Sequence, residues 1–173
     1  MPAGDQGIGA LALVFHAHLP YVRSGEPGSL EEDWYFQALQ ECYLPLLAVL
    51  ERAASDPQQR PRLTLGLSPT LLALLSDPEL NGRFPDWIAL RRGLLLEAPA
   101  SLAEPARHLE TQLAGVMAQW RACNGNLLPR FIQLRQQGVL DLITCAATHG
   151  YLPLLRDCPE AVRAQLLTAA REH

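Results

Sequence analysis

The sequence predicts an α/β fold in which three parallel strands carry a helical insertion between the second and the third. Three observations support this. Segments 8–15, 62–67 and 139–147 read as strands, the first and third of them apolar runs that turn into loops, as buried parallel strands do. Stretches of helical period separate them, in the order strand, helices, strand, many helices, strand, helix. A closed barrel of parallel strands takes about eight, so three strands read as the first part of a larger domain.

The first run, 8–15, is apolar throughout and is expected to be covered on both faces. Strand parity places Ala10, Ala12 and Val14 on one face with His16 and His18, and Leu11, Leu13 and Phe15 on the other. Small residues beside the histidines suit a crowded barrel interior. Pro20 ends the run, and 24–29 is a Gly/Pro loop. Phe36, Leu39, Tyr43, Leu46, Leu47 and Leu50 then recur at helical spacing, with a break or kink expected at Pro45. Asp56-Pro57 and Pro61 mark the return to the second strand.

Ser68-Pro69 reads as an N-cap followed by proline at the first helical position, and Asp77-Pro78 repeats that grammar, with Asp86 a weaker case. From 71 to 123 the chain is almost entirely helical. Ser101 with Glu104 suggests a capping box, ahead of a buried stripe of Leu109, Leu113, Val116, Met117 and Trp120. A helix over 128–137 stops at Gly138. The third strand follows, then the His149 loop, then a last helix from Asp157 towards Arg171.

A length of 173 residues suits one domain with a sizeable core. The net charge of −4, without a basic stripe, gives no reason to expect nucleic acid. Every strong base is arginine, which reflects composition rather than chemistry. Cys42, Cys123, Cys145 and Cys158 are scattered with no C-x-x-C pair, which argues against a zinc knuckle or a disulfide framework. Cys145 reads as a small core residue. The first nine residues lack the features of a signal peptide, and no apolar run is long enough for a membrane span. The expectation is a reduced, cytoplasmic protein without membrane contact.

The chemistry concentrates in His16-Ala17-His18-Leu19-Pro20-Tyr21 and in the segment around Thr148-His149-Gly150-Tyr151, both where a strand turns into a loop. His16 and His18 lie two apart, so both rings point the same way. Three readings stand: metal ligands with His149 as a third and Asp141 or Asp157 in support, hydrogen-bond donors to a sugar or anion, or structural histidines satisfied by backbone or solvent. Glu97, Glu104 and Glu110 read as a solvated face, and Trp34, Trp87 and Trp120 as helix-packing residues, with Trp34 and Tyr35 also placed to edge a cleft. No dinucleotide fingerprint, P-loop or nucleophile elbow is present.

The His16–Tyr21 segment resembles the first sequence region of glycoside hydrolase family 57, in the H-A-H-L-P-Y spelling of its α-1,4-glucan branching enzymes. The run from Val139 through His149 to Leu155 is similar to that branch's second region, and Gly66-Leu67-Ser68-Pro69-Thr70 fits the family's second strand. The resemblance implies an incomplete (β/α)7 barrel and a retaining transfer in which a glutamate attacks the anomeric carbon and an aspartate serves as acid and base. It implies α-glucan as substrate, with no metal or organic cofactor, and substrate-binding roles for His16, His18 and His149. The family's nucleophile lies in a third region, typically W-L-P-E-C, which these 173 residues do not contain. The expectation is therefore an N-terminal portion of such an enzyme, inactive alone, with no catalytic carboxylate assigned. An unpaired edge on the third strand predicts marginal stability or self-association. The rivals are a 4-α-glucanotransferase or amylase of the same family, a non-catalytic glucan-binding module, and a metal-dependent hydrolase similar to polysaccharide deacetylases.

Overall fold

Parallel pairing of Val14 with Thr64, and of Thr64 with Asp141, sets the register of a three-stranded sheet in the order β1-β2-β3. The strands are β1 (Val14–Ala17), β2 (Leu63–Leu67) and β3 (Leu140–Ile143). They belong to a computed structural model that describes residues 9, 11–23, 26–56 and 61–172. Expectations for 1–8, Ala10, Ser24, Gly25 and Pro57 fall outside the described residues.

The three strands are shorter than their apolar runs, and among the described residues the sheet is covered on one face, not two. Residues paired across the register share a face. Phe15, Leu65 and Leu142 point with Ala17, Leu67 and Leu140 into the helical layer, where Leu65, Leu67 and Leu140 are 2 %, 4 % and 4 % exposed. The opposite face carries Val14 and His16, Thr64 and Gly66, and Asp141 and Ile143; Val14 is 63 % and Ile143 40 % exposed. With β2 central, β1 and β3 are both edges among the described residues, so the open edge expected only on β3 has a counterpart on β1.

The covering layer follows its capping grammar closely. Helix α1 (Leu30–Ala38) passes through a π-helical turn, Leu39–Tyr43, into α2 (Leu44–Ser55). Pro45 sits in the first turn of α2, so the wide turn absorbs the carbonyl that proline cannot serve. Ser68 accepts from the Leu71 N–H to open α3 (Pro69–Ser76), and Asp77 accepts from the Leu80 N–H to open α4 (Pro78–Gly82). Helix α5 (Phe84–Leu96) lies along α6 (Ala103–Ala122). The proposed capping box at Ser101 does not form. Pro99 opens a 3-10 turn, Ala100–Leu102, that carries Ser101 into helical backbone, whereas a capping residue needs extended backbone. Glu104 instead pairs with Arg107 at 2.7 Å.

Behind β3, α7 (Leu128–Gln136) ends at Gly138, whose φ of +74° suits glycine. The last helix, α8 (Pro159–Glu172), packs on α3. Leu113, Val116, Met117 and Trp120 are buried as the α6 stripe, while Leu109 stays half exposed. Trp34 is half exposed and Trp87 packs against the core, whereas Tyr35, expected beside Trp34 at a cleft edge, is wholly buried with its hydroxyl donating to Asn81 Oδ1. Among the described residues no helix is long and apolar enough to cross a membrane.

Candidate functional site

Because the three strands are parallel, their C-terminal ends lie at one edge of the sheet, and short polar links hold those ends together. The Ser68 N–H donates to the Ala17 carbonyl (3.1 Å), the Thr70 hydroxyl to the Leu19 carbonyl (2.7 Å) and the Thr144 hydroxyl to the Leu67 carbonyl (3.1 Å). Ser68 is wholly buried. The chain therefore leaves β1 and β3 along fixed paths, and the histidine segments converge above the bare face.

All three predicted site residues meet there. The His16 and His18 rings are nearly parallel, 20° apart with centroids 6.3 Å apart, as strand parity requires. His149 reaches in from the loop after β3, its centroid 4.6 Å from His16 and 4.3 Å from His18. Nε2 of His16 and Nε2 of His149 are 2.5 Å apart, so one ring carries its proton there and the other accepts it. His18 is partly buried, and its pKa is lowered from the ordinary histidine value, first by desolvation and then by His149 and His16. Its Nδ1 is buried with no hydrogen-bond partner among the described residues.

Two features that single-residue reading passed over set this geometry. Gly66 faces His16 across the register, and a Cβ at that position would stand 2.9 Å from His16 Nδ1. Only glycine leaves room for the ring. His149 itself has φ +58°, a left-handed conformation that a non-glycine residue holds only when its surroundings impose it. Those surroundings are visible. Gln165 of α8 accepts from the Thr148 N–H (2.9 Å) and donates to the Thr148 hydroxyl (2.8 Å), while its backbone carbonyl accepts from the Ala147 N–H (3.2 Å). The His149 N–H closes the turn on the Ala146 carbonyl at 2.8 Å.

Cys145 departs from its expected place in the core. β3 ends at Ile143, and the thiol, partly buried, lies with ring nitrogens of His16 and His149 in a group whose ligand atoms are all within 4.8 Å of one another. Burial pushes its thiol pKa up. No carboxylate joins that group among the described residues. Of the two candidate supporting carboxylates, Asp141 lies lower on the same face, opposite Thr64, and Asp157 pairs with Arg156 at 3.6 Å with both side chains exposed. Neither carboxylate hydrogen-bonds the three rings among the described residues, and the sequence signal that links Cys145 and Gln165 to the site is absent because both lie outside the strands where parity applies.

Comparison with known proteins identifies the family. The family model of glycosyl hydrolase family 57 matches residues 12–171. The chain is 33 % identical over 162 residues to the 1,4-alpha-glucan branching enzyme of Thermococcus kodakarensis, covering 91 % of this chain and 24 % of that protein. The crystal structure of a GH57-type branching enzyme from Pyrococcus horikoshii superposes with a TM-score of 0.86 at 34 % identity, over 95 % of this chain and 32 % of that one. The α-amylase AmyC of Thermotoga maritima superposes with a TM-score of 0.83 at 28 % identity, over 93 % of this chain and 32 % of that one. The chain thus spans between a quarter and a third of the length of these relatives. With residues 12–171 matched by the family model, which is nearly its whole length, the chain belongs to glycosyl hydrolase family 57.

Proposed function

We propose that this chain forms part of the donor-sugar site of an α-glucan branching enzyme, which moves an α-1,4-linked glucan segment onto a 6-hydroxyl. His16, His18 and His149 bind the sugar ring. The observation that supports this most directly is the convergence of three imidazoles, from positions 133 residues apart, on the one bare face of the sheet. Imidazoles donate to and accept from sugar hydroxyls, and a retaining transfer passes through an oxocarbenium-like state with positive charge at the ring. The hydrogen-bonded pair of His16 and His149 beside His18, whose pKa is lowered by burial, suits that state, since a crowded tricationic site would repel it.

Double displacement also takes two carboxylates. We assign neither role to a residue of this chain, because the histidine group is composed of imidazoles and a thiol. The chain alone is accordingly proposed to bind glucan without turning it over. Calorimetric titration with maltoheptaose tests the binding: heat is expected for the unmodified chain and none for His16→Ala of unchanged circular dichroism. Equal heats from the two proteins would sink the assignment. Amylose incubated with the chain should keep its iodine colour.

A second reading, an amylase of the same family, is favoured by the likeness to the Thermotoga enzyme. It predicts new reducing ends, and branching predicts new α-1,6 linkages, in any longer protein that carries this chain.

A further inference from the structure

The donor atoms above the bare face also suit a chemistry other than sugar binding, and one of them, Cys145 Sγ, has no part in the sugar site proposed above. One ring nitrogen each from His16 and His149 and the Sγ of Cys145 lie within 4.8 Å of one another, and the two imidazole Nε2 atoms are 2.5 Å apart. Two neutral imidazoles and a thiolate are a donor set for soft or borderline divalent cations such as zinc and cobalt. A tetrahedral zinc ion, bound at about 2.0–2.1 Å to nitrogen and about 2.3 Å to sulfur, requires donors roughly 3.3–3.6 Å apart. The observed spread, from 2.5 to at most 4.8 Å, brackets that spacing. His16 and His149 are exposed, so small ring rotations open the close pair and close the wider gap.

The backbone supporting these donors is already fixed. His16 is held in the β1–β2 register, Cys145 follows Thr144, whose hydroxyl is tied to Leu67, and His149 is held in its turn by the Gln165 contacts. Such preorganisation separates a site from a chance gathering of side chains. We propose that His16, Cys145 and His149 form a three-ligand site for a soft divalent cation, with a fourth position open to solvent as in open zinc centres. On binding, the Cys145 thiol gives its proton to solvent, and the ring that carried its proton on Nε2 shifts it to Nδ1 through solvent, which leaves both Nε2 atoms free to bind the metal. The metal–sulfur bond and two metal–nitrogen bonds replace metal–water bonds, and no oxidation state changes. This assignment goes beyond the cofactor-free site that the family resemblance implies, and it does not depend on the glucan reading.

Cobalt(II) alone is the probe, because tetrahedral thiolate ligation gives intense visible bands and a sulfur-to-metal charge-transfer band in the near ultraviolet. One equivalent per chain should produce both in the unmodified protein and in a Cys42→Ser, Cys158→Ser double variant, which removes the two exposed thiols. Cys145→Ser should lose the charge-transfer band. Zinc affinity, read by competition with a chromophoric chelator, should fall by about tenfold or more in both Cys145→Ser and His149→Gln. The two variants sit on different segments, so His149→Gln decides the question if Cys145→Ser loses its circular dichroism. A charge-transfer band that never forms, one that survives Cys145→Ser, or a zinc affinity unmoved by His149→Gln would overturn the site.

Discussion

The smallest structural requirement of the site is the missing side chain at Gly66. Its Cα faces His16, and the 2.9 Å approach of an added Cβ to Nδ1 is too close for the imidazole to stay where it is. The backbone there is ordinary, so the effect of a methyl group belongs to the ring and not to strand conformation. Gly66→Ala should leave folding stability within about 1 kcal/mol, since alanine recovers some of the entropy that glycine loses. The same change should weaken maltoheptaose binding about tenfold, or about 1.4 kcal/mol. Unchanged affinity, measured by calorimetry beside thermal denaturation, would show that His16 has room to spare. Residue identity alone reveals half of this. The two-residue spacing of His16 and His18 foretold their common direction, because strand period fixes it. The direction of Cys145 was not legible, because β3 stops two residues earlier and strand parity no longer governs where a side chain points.

At the scale of elements, the last helix acts as a brace for the loop that carries His149. Gln165 holds both the N–H and the hydroxyl of Thr148, one residue before the left-handed turn. Leucine at 165 removes both contacts and should cost about 1 kcal/mol, at the modest end because the bonds are exposed. Glutamate should restore most of that loss, since its oxygens accept from the Thr148 N–H and from the hydroxyl turned to donate. Amide exchange at Thr148 is the direct readout, and equal protection in the leucine and glutamate variants would remove the brace from the account. Helix starts were the most legible elements, because Ser68-Pro69 and Asp77-Pro78 combine an oxygen acceptor with a residue that needs no donor partner. Ser101 carried the same acceptor chemistry and failed, since its backbone had already turned helical. The break at Pro45 was legible too, though its form as a π-helical turn was not, because proline forbids a hydrogen bond without dictating how the helix makes room.

The whole molecule is one helical layer on one face of a three-stranded sheet whose other face and both edges are uncovered among the described residues. Unpaired edge strands recruit further strands. Leu11, Leu13, Val14 and Phe15 of the β1 region are all exposed, so we expect concentration-dependent self-association in sedimentation velocity, weakened by Val14→Lys. A chain that stays monomeric at every concentration would refute it. The fold class was legible at this scale because parallel strands and helical runs alternate in sequence; the one-sided covering was not, because an apolar run reads alike whether one face or both are buried. The contact between His16 and His149 spans 133 positions. Closing so long a loop is costly, each doubling of length adding about 0.6 kcal/mol, and non-local pairings of this kind form late in folding. A ligand gripping both histidines therefore works as a clasp between the two ends of the chain, and its occupancy is drawn from the free energy of completing the fold itself.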